Sequence, residues 1–193
     1  DTNIYEKVLI NDLKYASVPK INPNGFVNKF NLFLKNVTTE GDNSGEYSSD
    51  FRSQNFGSIL YDISYPLKKE GNKYNNFLSG KASFMYSPNK NKNIKNLDRK
   101  INTKNIFNQN RLGLNDSVEG GQSLTFGGEY KITDKQNRSF LTAGLASVLR
   151  DKNEEKLPTS TTINNKSSDI IGSINFKPNN NFSLDYNFSV DND

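Results

Sequence analysis

Apolar side chains recur at every second position over most of this chain, which is the period of a β-strand with one greasy face. The last stretch shows it most cleanly: Phe182, Leu184, Tyr186, Phe188 and Val190 alternate with Ser183, Asp185, Asn187, Ser189 and Asp191. Phe26, Phe30, Leu32 and Leu34 repeat the pattern over 25–37, with Phe33 as the exception, and Ile59, Tyr61, Ile63 and Tyr65 repeat it over 56–66. Leu78, Ala82, Phe84 and Tyr86 mark a strand over 77–87. Leu124, Phe126, Tyr130 and Ile132 mark one over 121–133, and Leu141, Ala143, Leu145 and Leu149 one over 140–149. Ile170, Gly172, Ile174 and Phe176 follow. Residues 6–16 alternate more loosely, with Val8 and Ile10 on one parity and Leu9, Leu13 and Tyr15 on the other.

The connections sort by length. Short ones at 17–24, 67–76, 134–138 and 178–181 carry Pro, Asn and Gly turn signals. Long polar ones at 38–55, 88–120 and 150–167 alternate with them strictly. Apolar residues within 101–112 keep no parity, so no strand is placed there. The pattern predicts an all-β chain: an antiparallel up-and-down meander of about eight strands of 10 to 13 residues, long enough to cross a bilayer when tilted, for which ~9–11 residues suffice. Short turns on one end and long loops on the other describe part of a larger transmembrane β-barrel, with the apolar parity facing lipid at Phe182, Leu184, Tyr186, Phe188 and Val190, and the polar parity facing a wet lumen. Residues 1–193 read as a single barrel segment cut from a longer protein, since the chain opens at Asp1 without Met and stops straight after a strand.

Composition fits that reading. Hydrophobic residues are 33% of the chain, less than in ordinary globular domains, as follows when only half of each strand is greasy. The net charge of +4 is spread along the chain and does not by itself imply nucleic acid. There is no Cys and no His, which removes disulfides, thiolate nucleophiles and the commonest general base and metal ligand. No catalytic residue, cofactor or metal site is assigned, and the chain reads as no enzyme. Asp42 and Glu46 lack the spacing of a calcium loop.

Two stretches hold candidate binding chemistry. Lys90, Lys92, Lys95, Arg99 and Lys100 form a basic run among asparagines, able either to lie in solvent or to contact phosphate. Asn110, Arg111, Asp116, Glu119, Gly120 and Gly121 end the longest loop and feed the strand at 121. Arg111 can pair with one of the two carboxylates while the Gly pair lets the loop fold back over the barrel mouth. The alternative has Arg111 and the loop lysines meeting phosphates, with Asp116 and Glu119 binding bridging divalent cations.

This second stretch, with Val118 and Leu124-Thr-Phe-Gly-Gly-Glu-Tyr130, resembles the C-terminal barrel of the LPS-assembly protein LptD family, also called organic-solvent-tolerance protein. Ser87-Pro88 before the loop and Ser168-Asp169-Ile170 after the next one fit the same pattern. Ser117 stands where the resemblance implies a basic residue, and the loop glycine sits at 113, one place early. The resemblance implies a bacterial outer-membrane barrel that takes lipopolysaccharide from periplasmic bridge components and inserts it into the outer leaflet, with an LptE-like lipoprotein plug as partner. A passive pore or receptor barrel is the alternative within the membrane, and a soluble β-sandwich surface module the alternative outside it.

Overall fold

In the computed structural model, which describes residues 3–191, the chain forms one antiparallel sheet. The two chain ends on which the reading of a cut segment rests lie outside the described residues. The strands are β1 (Tyr5–Ala16), β2 (Lys20–Ile21), β3 (Val27–Asp42), β4 (Arg52–Glu70), β5 (Tyr74–Ser87), β6 (Gly121–Asp134), β7 (Ser139–Arg150), β8 (Ile170–Asn179) and β9 (Phe182–Val190). They lie side by side in chain order, β1 and β9 stand at opposite ends of the sheet, and the two-residue β2 pairs with β3. The predicted meander holds, and among the described residues no second sheet faces the first as a sandwich requires.

Four strand ends move. The segment 38–55 is not all loop, because β3 continues to Asp42 and β4 begins at Arg52. These heads pair with each other (Thr39 with Arg52) above the last β4–β5 pair, Ile59 with Tyr86. The segment 67–76 is largely strand too: Leu67 pairs with Leu78, Glu70 with Asn75, and only residues 71–73 turn. Pro66 does not end β4. It lies past the last β3 partner, Ser64, so the missing N–H there breaks no bond to β3.

Register gives the sheet a slant. One row of partners runs from Val27, the first residue of β3, through Ser64, Lys81, Gly127 and Ala146 to Ile171 near the loop end of β8. A line perpendicular to the strands thus climbs from the short-turn end to the loop end, the stagger that tilted barrel strands have.

The two faces differ as the alternation predicts, with one correction. Leu13, Leu34, Phe84, Phe126, Leu145 and Leu184 lie exposed on the same face. On the other face the expected wet wall is dry over its loop half, because loops 88–120 and 151–169 fold down on it. Ile94, Ile106, Leu112, Leu114, Leu157 and Ile163 from the loops pack against Ala146, Val148 and Ile171 of β7 and β8. Each fully buried side chain of this kind contributes about 1.5–3 kcal/mol. The apolar residues without parity in 88–120 are therefore the core of a packed loop. Phe33, the exception in its strand, points to this inner face and is buried, with the ammonium groups of Lys14 and Lys35 5.3 and 5.4 Å from its ring centroid.

Candidate functional site

The loop that ends at Gly121 is shaped by its own side chains. Asn110 closes a turn on itself: its Nδ2 donates to the Leu114 carbonyl at 2.9 Å, and its Oδ1 accepts from the Leu114 N–H at 2.8 Å. Gly113 supplies the positive φ of +62° inside that turn. The turn directs Arg111 inward, and the structure brings it to Glu119. Arg111 Nε donates to Glu119 Oε2 at 2.9 Å and Nη2 to Oε1 at 2.5 Å, a two-pronged pair. Its remaining donors go to the inner face of β6, Nη1 to Thr125 Oγ1 at 3.0 Å and Nη2 to Ser123 Oγ at 2.9 Å.

A second arginine completes the cluster. Arg150, at the head of β7, donates to Glu119 Oε1 and, at 2.6 Å, to the Gly120 carbonyl. The side chains of Arg111, Glu119 and Arg150 are 1%, 2% and 0% exposed. Burial opposes the charge on Glu119, but the facing guanidiniums of Arg111 and Arg150 outweigh it and hold its carboxyl below the ordinary range. Sequence reasoning missed Arg150, whose one signal is a cation on the polar parity at a strand end.

The Gly pair lets two backbones meet. The Gly120 N–H donates to Asn91 Oδ1 at 2.7 Å, and a Cβ at Gly120 would stand 2.1 Å from the Asn89 carbonyl oxygen. Gly121 opens β6 at φ +92°. Asn91 also donates to Glu154 Oε2 at 2.9 Å, joining this loop to the next one.

Asp116 goes elsewhere. It accepts from Lys92 Nζ at 2.5 Å and from the Tyr47 hydroxyl at 3.1 Å, and Lys92 also binds Glu46 at 2.6 Å. Partial burial opposes ionisation of Asp116, and the Lys92 ammonium overcomes it and lowers the carboxyl below its usual range. Lys92 is likewise held charged, its two carboxylates outweighing desolvation. Lys35, on the polar parity that the alternation turns toward a wet lumen, is buried: it pairs with Asp12 at 2.8 Å and donates to the Asn115 carbonyl at 2.6 Å.

The basic run does not form one patch. Lys92 belongs to the Asp116 cluster, and Lys90 lines a cavity with Arg52. Arg99 and Lys100 line another beside β9, and Lys95 lines neither of these two cavities. Among the described residues no three carboxylates gather to hold a metal ion. The arrangement binds a loop to a sheet through matched charges.

A family model described as LptD, LPS transport system D, matches residues 14–193. No curated protein matches the chain.

Proposed function

We propose a function from a plain premise: this chain belongs to the LptD family. The family is a lipopolysaccharide transport component of the Gram-negative outer membrane, built as a β-barrel and not known as an enzyme. Our reading is that residues 1–193 form one segment of that barrel wall. The wall inserts lipopolysaccharide into the outer leaflet, with periplasmic bridge components and an LptE-like lipoprotein plug as its partners. The observation that supports it is the bare apolar face running from Leu13 on β1 to Leu184 on β9, opposite a face that is polar or covered by loops. Such a face belongs in lipid, with Phe182, Leu184, Tyr186, Phe188 and Val190 touching acyl chains. The unshared edges of β1 and β9 then need further strands, because backbone donors and acceptors cannot stay open in a hydrocarbon core.

Within this wall, Arg111, Glu119 and the Gly120-Gly121 pair fasten the loop to β6 and β7, and Asp116 fastens it to the β3–β4 hairpin. A buried guanidinium already committed to Glu119 is poorly placed to meet a lipid phosphate.

Depletion of the parent protein in cells is expected to lower surface lipopolysaccharide and to accumulate it upstream of the outer membrane. Unchanged surface lipopolysaccharide would overturn the transport reading. Leu184→Arg is expected to cost about 1–2 kcal/mol of folding stability in bilayers, between the midplane and interface values for such charges. Asn187→Arg, on the opposite face, is expected to be nearly neutral. Urea titration in liposomes compares the two, and equal losses would argue against Leu184 facing lipid.

A further inference from the structure

We propose that the cavity at the head of β3 and β4 is a binding site for a phosphate-type oxyanion. It encloses about 310 Å³ on the inner face of the sheet. Thr39 of β3 and Arg52 and Gln54 of β4 form one wall, the hairpin residues Glu46 and Tyr47 another, and Lys90, Lys92, Asp116 and Ser117 the third.

Charge selects the ligand. Lys92 answers both carboxylates of the cavity, Glu46 and Asp116, with one ammonium. Arg52 and Lys90 remain, and among the described residues neither has a carboxylate within ion-pair distance. Three cations against two carboxylates leave the cavity with one positive charge in excess. An oxyanion accepts from a guanidinium fork and an ammonium together. Ser117 lines the cavity, is 3% exposed, and its Oγ, closed off from solvent, has no hydrogen-bond partner. Such a group is a rarity in a folded chain. Val37 and Phe56 give the cavity an apolar floor, room for whatever carries the anion.

The other basic cavity, with Arg99, Lys100 and Lys104, also holds Asp98 and Asp169 and lies against Asn187 and Ser189 of β9. The site at Arg52 goes beyond the transport reading and stands without it, since binding is read directly. Its anion comes either as free phosphate or as a phosphorylated lipid headgroup.

The test uses the full-length parent protein purified in detergent, titrated calorimetrically with inorganic phosphate and then with short-chain phosphatidic acid. Saturable binding of phosphate supports the site, and binding of phosphatidic acid alone supports it with the headgroup as source. The pair Arg52→Gln with Lys90→Gln is expected to weaken binding at least tenfold. Lys95→Gln with Lys100→Gln removes the same charge outside the cavity and is expected to change binding less than twofold. Equal losses from the two pairs would reveal diffuse attraction and overturn the site, as would saturable binding of neither probe. Unchanged heat-dependent gel mobility confirms that each variant is folded before it is titrated.

Discussion

Glu119→Gln is expected to destabilise the folded barrel by about 3–5 kcal/mol, the cost of removing one partner from a buried ion cluster. The carboxylate is the one negative group shared by Arg111 and Arg150. Its loss leaves two guanidiniums buried side by side, with only Ser123, Thr125 and the Gly120 carbonyl to accept from them. Arg111→Ala should cost less, because Glu119 keeps Arg150. The cluster also sets an acid response. The folded carboxyl lies below its ordinary value of 4.5, so its contribution is present above about pH 4.5 and is lost as the pH falls through the folded value. Urea midpoints of the wild type should therefore drop on acidification through this range, and those of Glu119→Gln should drop less. Similar midpoints for both proteins at pH 7 would mean that the cluster contributes no net stability.

Gly120→Val carries the other large effect. Even a Cβ would stand 2.1 Å from the Asn89 carbonyl oxygen and 3.5 Å from the Asn91 nitrogen, both backbone atoms. The two chain segments must separate, and the bond from the Gly120 N–H to Asn91 Oδ1 goes with them. A loss of about 3 kcal/mol or more is expected, at the upper end for overpacking. Gly80→Ala is the control. Its Cβ would meet nothing within 4 Å, so a change within about 0.5 kcal/mol is expected. Chemical denaturation of the reconstituted protein measures both, and a Gly120→Val variant as stable as the control would show that the loop yields without cost.

The outer wall was legible in the sequence because its side chains meet one environment at every second residue. Phe182 to Val190 state their face outright. The ends were not legible where that asymmetry fades. Thr38 to Asp42 and Arg52 to Asn55 project past β5, and strands with both sides polar leave no period to read. The candidate site was half legible. Arg111 and Glu119 could be singled out as charges beside a Gly pair, but nothing local chooses Glu119 over Asp116. That choice depends on β6 and β7 supplying Ser123, Thr125 and Arg150 from below. Lys35 escaped for a related reason: a lysine on the polar parity reads as solvated until a distant loop carbonyl, Asn115, comes down on it.

The slant of the sheet bears on how substitutions should be grouped. Phe30, Tyr61, Phe84, Leu124 and Leu149 are side-by-side partners, yet the first lies near the foot of β3 and the last at the head of β7. Cross-strand partners are therefore not a depth layer. In a bilayer, one such row samples everything from one headgroup region through the midplane toward the other. A scan that pools the five positions would average interfacial tolerance with midplane intolerance. Depth profiles for this wall have to be drawn along lines that step down the strands from β3 to β8.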